Sequence, residues 1–178
     1  ASLEQRGLVA APEADRRTLV RRVYFDLIGL PPSPDELDAF LNDTRPDKRA
    51  RLVEKLLAND RRYAEHWLTF WNDLLRNDYR GTGYIDKGRK QISTWLFTAL
   101  ATNMPYDQFV AKLVDPVPAS EGFVNGILWR GTVNASQTVP MQAAQSISQV
   151  FLGVNLKCAS CHDSLSLLLA TSSRLRSC

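Results

Sequence analysis

The sequence predicts an all-α domain, an irregular multi-helix fold with long loops. In successive segments, apolar residues recur three and four positions apart, which is the spacing of one helix face. Glycine and proline stand between these segments, where they end helices or open turns. No stretch alternates apolar and polar residues for long enough to predict a half-buried strand, and no internal repeat is visible. We therefore expect one helical domain over residues 12–163.

The first predicted helix covers residues 13–28. Leu19, Val23 and Leu27 share one face, and arginines at positions 16, 17, 21 and 22 occupy the other. Gly29, which two prolines follow closely, should end this helix. The arginine face is more typical of a solvated surface than of a docking patch.

The residues 33–36 predict the start of a second helix. Ser33 is a favoured N-cap, Pro34 suits the first helical position, and Glu36 stands three residues after the cap, as in a capping box. The segments 46–58 and 61–76 repeat the helical spacing. The first half of the chain is thus predicted to hold four helices.

The second half of the chain begins with a predicted loop, and predicted helices follow it. Residues 77–90 contain three glycines among polar residues, which predicts a long loop and a candidate wall of a functional site. Helical spacing then returns near residues 92–100 and 106–114. A last helix is predicted from Pro140, a suitable first helical residue, to Gly153.

A second irregular segment covers residues 117–139. It shows no clear helix, and short extended pieces are expected at residues 122–124 and 126–129. An irregular segment of this length is uncommon inside a compact domain unless it has a function. We therefore expect it to fold over a cofactor.

Composition and charge exclude several classes of protein. The 178 residues are 44% hydrophobic and 23% charged, which is ordinary for a globular protein. The net charge of +3 is too small and too evenly spread to indicate a nucleic-acid partner. No run of 18 apolar residues predicts a transmembrane segment. Because the first residues show neither an initiator Met nor a secretion signal, we expect a mature or excised fragment.

The motif that carries chemistry lies at residues 158–162. Cys158, Cys161 and His162 form the C-x-x-C-H arrangement of a c-type haem attachment site. Two thiols three positions apart can reach the two vinyl groups at one porphyrin edge. The imidazole of His162 can then bind the iron from one side as the proximal ligand. The sequence therefore predicts covalent haem c, and with it an exported protein of the periplasm or cell surface.

Other interpretations of the cysteines stay open: a local disulfide between Cys158 and Cys161, buried free thiols, or a structural zinc site. Three cysteines are too few for a disulfide scaffold. Zinc needs about four ligands in a tetrahedron, and the adjacent side chains of Cys161 and His162 do not easily point at one ion. A thioredoxin-like redox pair is disfavoured because it belongs in a βαβ context.

Spacing does not fix the sixth ligand of the iron. The imidazole and thioether groups outside the motif are His66, Met104 and Met141. His66 lies on an apolar predicted helix, where a histidine is more often a core residue, and the methionines are more typical of core packing. An open sixth position, or a ligand from another part of the protein, is an equal alternative. A methionine or histidine ligand would favour electron transfer, whereas an open iron would favour ligand binding.

Several segments of the chain resemble the planctomycete-type cytochrome c domain, a family of exported proteins long classed as of unknown function. The matching segments, in the family's order between about residues 15 and 163, are DRRTL, FDLIGLPP, LVEKLL, YAEHW, MPYDQFV and FLGV through CASCHD. The resemblance implies haem attachment at Cys158, Cys161 and His162, export, and frequent fusion to a second uncharacterised domain or to carbohydrate-binding-like modules. It implies no established catalytic activity. From residue 164 the sequence departs from the family, so we expect 164–178 to be an aberrant or truncated tail.

Different functions are compatible with such a domain. It could transfer electrons to a redox partner or a companion domain of the full-length protein. It could instead be a haem-dependent enzyme or sensor with an open iron, or a structural zinc or disulfide interaction module. The sequence names no catalytic residue, because its carboxylates show no spacing that singles out an acid and a base. Nucleic-acid binding is disfavoured, because no recognition helix stands out.

Overall fold

The computed structural model describes residues 2–134 and 137–156. Within these residues every regular element is helical and no strand is formed, which confirms the all-α prediction. The chain forms two compact units, Ala1–Trp67 and Leu68–Cys178. The boundaries of a single domain at residues 12 and 163 stay a prediction.

The first unit contains the helices that the sequence predicts for its half of the chain. They are α1 (Ser2–Gln5), α2 (Arg16–Ile28), α3 (Pro34–Asn42), α4 (Lys48–Leu57) and the first part of α5 (Asp60–Leu74). Helices α2 to α5 match the four predicted segments, with ends displaced by a few residues. The short α1 was not predicted.

Local hydrogen bonds set both ends of α2. The carboxylate of Asp15 accepts from the backbone N–H groups of Arg17 at 2.9 Å and Thr18 at 3.0 Å, so the helix begins directly after Asp15 and not at residue 13. Gly29 ends the helix with a left-handed φ of 70°, and its N–H donates to the carbonyl of Phe25. The predicted stop at Gly29 is confirmed.

The predicted capping box at the start of α3 is confirmed and extends into a small polar network. Glu36 Oε2 accepts from the N–H of Ser33 at 2.9 Å, and Ser33 Oγ accepts from the N–H of Glu36 at 3.2 Å. Glu36 Oε1 also accepts from Arg62 at 3.1 Å. Burial acts to raise the pKa of Glu36, but the hydrogen bonds from Ser33 and Arg62 outweigh it and lower this pKa. Burial and then the neighbouring Glu36 carboxylate raise the pKa of Tyr24 to about 12.

The core of the first unit lies under the apolar face of α2. Its buried side chains are Val20, Tyr24, Ile28, Phe40, Leu52 and Leu56. Leu19, Val23 and Leu27, which the helical spacing places on one face, are partly buried against this core. Full burial of a large apolar side chain contributes on the order of 1.5–3 kcal/mol. Packing therefore holds α2, α3 and α4 together.

The second unit has its own core. Its regular elements are the end of α5, α6 (Arg89–Ala101), α7 (Tyr106–Val114), α8 (Val139–Ile147) and a π-helical turn (Ser148–Leu152). Its buried core consists of Leu75, Ile85, Ile92, Trp95, Leu96, Ala99, Phe109, Leu113, Phe123 and Ile127. The predicted helices near 92–100, near 106–114 and from Pro140 are confirmed, although the last one ends in a π-helical turn.

The two loops of the second unit pair with each other. Ile85 of the first loop forms an isolated antiparallel bridge with Ile127 of the second. The N–H of Leu128 donates to the carbonyl of Tyr84 at 2.9 Å, and the N–H of Gly83 donates to the carbonyl of Leu128 at 2.8 Å. The expected extended piece at residues 122–124 is wrong: these residues form turns and bury Phe123 in the core.

Candidate functional site

The predicted haem-attachment residues Cys158, Cys161 and His162 lie outside the described residues. The structure describes the chain as far as Leu156, so its last described residues lead directly into the motif. One of them, Asn155, lines a cavity in the second unit. One wall residue of that cavity therefore lies only three positions before the motif.

The cavity has a volume of about 840 Å³. Small-molecule and cofactor sites typically enclose about 300–1,000 Å³. The segment after α5 contributes Arg76, Tyr79 and Tyr84 to the wall, and the loop before α8 contributes Trp129 and Arg130. The loop predicted to line a site and the segment predicted to fold over a cofactor thus both line one cavity.

Helix α8 and its π-helical extension supply a polar side of the cavity. The lining residues on this side are Gln142, Gln145, Ser146 and Gln149. They follow one another at i, i+3, i+4 and i+7, which places them on one helix face. Pro140 lies in the first turn of α8, and the hydroxyl of Thr138 caps the helix by accepting from the N–H of Met141.

Gln142 holds the loop before α8 against the helix. Its Nε2 donates to the carbonyl of Gly131 at 2.7 Å and to that of Gln137 at 3.1 Å. Its Oε1 accepts from the backbone N–H of Arg130 at 3.3 Å. One amide side chain therefore fixes three points of a loop that has no regular structure of its own.

A buried amide network anchors the other loop where it leaves α5. The side chain of Asn77 is 4% exposed. Its Nδ2 donates to Asn72 Oδ1 at 2.8 Å, to Ser93 Oγ at 2.8 Å and to the carbonyl of Arg89 at 3.2 Å. Because these partners belong to α5 and α6, the network joins the loop to both helices.

Arg76 carries positive charge into the cavity wall. Its backbone has an uncommon φ of 63° for a non-glycine residue. Its guanidinium donates to Gln149 Oε1 at 3.2 Å and, at 3.5 Å, to the carbonyl of Gly83. Both acceptors are neutral, so these contacts hold the guanidinium in place without neutralising its charge.

Two side chains of the α8 wall have polar atoms without a partner. Among the residues that the structure describes, Gln145 Nε2 and Ser146 Oγ are buried and form no hydrogen bond. Ser146 is 2% exposed. An unsatisfied buried polar group costs on the order of 1–3 kcal/mol, so native proteins rarely retain one without a reason. A bound molecule with acceptor groups would remove this cost.

A tight turn directs the chain from α8 toward the motif. The π-helical turn Ser148–Leu152 is followed by Gly153, which has a left-handed φ of 65°. Ser148 Oγ donates to the carbonyl of Val154 at 3.0 Å, and the N–H of Val154 donates to the carbonyl of Ser148 at 3.3 Å. Isolated π-helical turns occur frequently at functional sites. This turn fixes the chain four residues before Cys158.

One family model matches almost the whole chain. The PSCyt2 family model, described as a protein of unknown function (DUF1549), matches residues 1–166. The chain belongs to the PSCyt2 family. This is the planctomycete cytochrome c-like domain family of unknown function, so the resemblance found in the sequence is confirmed. No curated protein and no solved structure matches the chain closely enough to be called similar.

In this PSCyt2 chain, His66 packs against the end of α2 in the first unit. A Cβ added to Gly29 would collide with the imidazole ring of His66. The ring of Trp67 lies 5.1 Å from that of His66, in a tilted arrangement. His66 is half-buried. The lack of a side chain at Gly29 thus leaves room for the imidazole ring of His66. The role of His66 as an axial ligand stays a prediction.

The two methionines lie in the second unit and are half-buried. Met104 packs against the core, and its N–H donates to the carbonyl of Ala99 at 2.9 Å. Met141 lies in the first turn of α8. Neither is among the described residues that line the cavity. Their roles as distal ligands also stay predictions.

Sequence reasoning did not find the polar face of α8 or Arg76. The signal for the first was present, because Gln142, Gln145 and Ser146 interrupt a helix that was judged only by its apolar positions. Arg76 carried no signal, since its place at the cavity depends on a left-handed backbone conformation and on contacts distant in sequence.

Within residues 2–134 and 137–156, no three His, Cys, Asp or Glu side chains come together as a metal site requires. In the same part of the chain, no helix combines the length and the apolar character that crossing a membrane requires.

Proposed function

We infer that this PSCyt2 chain binds haem c covalently through Cys158, Cys161 and His162, and that the cavity of the second unit holds the haem. The observation that carries the proposal is the cavity of about 840 Å³ whose wall includes Asn155. Because only three residue steps, at most about 11 Å of chain, join Asn155 to Cys158, a haem attached to the motif would lie within reach of this space.

Most of the cavity wall is polar, and a smaller part of it suits a porphyrin ring. Trp129, Tyr84 and Val133 offer aromatic and apolar surface for the ring. The unpartnered atoms of Gln145 and Ser146 offer hydrogen-bond donors to polar substituents. Because a haem has a largely apolar ring and a polar edge, it can contact both the apolar and the polar part of the wall.

The attachment chemistry assigns a separate task to each residue of the motif. Cys158 and Cys161 would each add a thiol S–H across one vinyl group, forming a thioether with no leaving group. His162 would supply a neutral imidazole nitrogen to the iron. When bound, the haem supplies a one-electron couple, and the chain's own residues set how exposed and how polar its surroundings are.

Electron transfer within a larger exported protein is the physiological role we propose. The redox partner would be a separate protein or a companion domain of the full-length chain. The loops around Tyr79 and Trp129 stand at the cavity wall, which leaves the haem close to the surface of the second unit. The site would then lie outside the cytoplasm, in the periplasm or at the cell surface.

The test is covalent haem attachment in a host that matures exported c-type cytochromes. The chain is produced with a secretion signal, and the reduced pyridine haemochrome spectrum is recorded after denaturation. The matched variants are Cys158→Ala with Cys161→Ala, and Cys178→Ala as a control cysteine outside the motif. We expect a c-type spectrum from the unchanged chain and from Cys178→Ala, and none from the double variant.

Absence of covalent haem in the unchanged chain would refute the proposal and return the cysteines to the zinc or disulfide interpretation. The folded, loaded protein then separates the roles. A six-coordinate low-spin iron supports electron transfer, whereas a high-spin iron that binds carbon monoxide favours a sensor or an enzyme.

A further inference from the structure

The cavity of the second unit carries an excess of positive charge on its wall. The titratable groups that line it, among the described residues, are Asp73, Arg76, Tyr79, Tyr84 and Arg130. No ion pair joins Asp73 to either arginine in this part of the chain. The wall therefore presents two guanidinium groups and one carboxylate, each without an opposite charge bound to it.

Arg76 is the more fixed of the two cations. It is half-buried, whereas Arg130 is exposed. The acceptors of Arg76 are the amide of Gln149 and the carbonyl of Gly83, so its charge is positioned but not paired. Arginine presents several N–H donors in a planar fork that matches a carboxylate.

Two residues of α8 that line the same cavity carry buried donors without a partner. Ser146, at 2% exposure, has a hydroxyl with no partner among the described residues, and the same holds for Gln145 Nε2. Both groups line the cavity wall that also contains Arg76. A hydroxyl and an amide NH₂ without acceptors, in one cavity with a fixed guanidinium, form a set that an anion with several oxygens would satisfy.

We propose that Arg76, assisted by Arg130 and by the side chains of Ser146 and Gln145, is a carboxylate-binding site that holds the propionates of the haem. This inference rests on the proposed function, because covalent haem is the source of the carboxylates. A free dicarboxylic acid shares the same chemistry, so the experiment distinguishes the two sources.

The charge of Arg76 has two consequences for the loaded protein. A nearby cation disfavours the more positive ferric state, so removing it lowers the midpoint potential of the iron. It also holds the propionate pKa below its usual range. Since an ionised propionate stabilises ferric iron, the potential falls as pH rises through the propionate pKa. Removing Arg76 moves that fall to higher pH.

The experiment measures midpoint potential against pH on the haem-loaded, full-length chain. The variants are Arg76→Gln and Arg76→Lys, and the control is Arg80→Gln, an exposed arginine of the same loop that does not line the cavity. We expect Arg76→Gln to lower the potential at neutral pH and to move its pH-dependent fall upward by about one pH unit or more. Arg76→Lys keeps the charge, so its midpoint potential should lie between those of Arg76→Gln and the unchanged chain. Arg80→Gln should have the potential and pH profile of the unchanged chain.

Each of the remaining outcomes decides against a specific part of the account. If the unchanged chain carries haem and Arg76→Gln has the same potential and pH profile, the propionate assignment is wrong while the haem proposal stands. If the unchanged chain carries no haem, both fail. Succinate binding to the haem-free Cys158→Ala, Cys161→Ala chain, measured by calorimetry, covers the second source. Binding there that is lost in Arg76→Gln, together with an unchanged potential in the loaded variant, would assign the site to a free dicarboxylate instead.

Discussion

The two units of this PSCyt2 chain use their polar side chains in opposite ways. In the first unit, ion pairs join Arg45 to Asp43, Arg49 to Glu13, Arg51 to Asp47, Arg61 to Glu65 and Arg62 to Glu36. In the second, no ion pair is found among the described residues, and Asn77 Oδ1, Gln145 Nε2 and Ser146 Oγ are buried without a partner.

This difference is what we expect if the second unit binds another molecule, as proposed, and the first unit does not. Exposed ion pairs contribute little individually, about 0–1 kcal/mol, so those of the first unit mainly complete its surface. Unsatisfied buried polar atoms cost more, and in the second unit two of the three side chains that carry one, Gln145 and Ser146, line one cavity. On the proposed function, the haem supplies the partner that these atoms lack.

The largest expected effect compares two left-handed glycines, one in each unit. Gly29 and Gly131 have φ values of 70° and 78°, and a Cβ would strike the His66 ring at Gly29 but meet nothing at Gly131. We expect Gly29→Ala to lower the free energy of unfolding by about 3 kcal/mol, and Gly131→Ala by about 1 kcal/mol. Urea unfolding monitored by circular dichroism measures both. Equal losses would mean that the packing of His66 against Gly29 is not tight.

The next effect concerns pH and the first unit. Because the pKa of Tyr24 is raised from 10.0 to about 12, its neutral form stabilises the fold fully below pH 10. That contribution is lost as pH rises from 10 through 12, by up to about 2 kcal/mol. Tyr24→Phe should flatten this part of the stability profile, and Tyr106→Phe, at an exposed tyrosine, should not. Denaturant unfolding at a series of alkaline pH values tests this, and a parallel decline in all three proteins would contradict it.

The smallest effect sharpens the comparison between paired and unpaired side chains. Ser33 caps α3 by accepting from the N–H of Glu36, so Ser33→Ala should cost about 1 kcal/mol. Ser146→Ala, in the haem-free Cys158→Ala, Cys161→Ala chain, removes a hydroxyl without a partner and should cost nothing, or stabilise by about 1 kcal/mol. Thermal unfolding of both variants provides the measurement. A loss at Ser146 as large as that at Ser33 would show that its hydroxyl already has a partner.

Local signals made most of the fold predictable. Capping and stop signals lie within a few residues of the helix ends that they define. Such signals predict the helix between Asp15 and Gly29, the helix after the Ser33 capping box and the helix that begins near Pro140. The extended piece predicted at residues 122–124 is wrong, because these residues form turns. Burial of Phe123 in the core, and not local propensity, determines their shape.

The candidate site was predictable only in part. The cysteine motif is recognisable from five residues, and the sequence predicts that one long loop lines a site and that the other folds over a cofactor. Their pairing through Ile85 and Ile127, and the convergence of Arg76 with the α8 face, depend on contacts between residues more than 40 positions apart. Periodicity within a short window cannot contain that information.

Hydrogen–deuterium exchange tests most directly whether the second unit's cavity holds the haem. Backbone exchange is compared between the haem-loaded chain and the haem-free Cys158→Ala, Cys161→Ala chain. The account predicts slower exchange on loading in residues 76–85, 129–134 and 137–149, which include most of the cavity wall, and unchanged exchange in Arg16–Ile28 and Lys48–Leu57 of the first unit. Slower exchange confined to the first unit, with the cavity wall unchanged, would contradict the account.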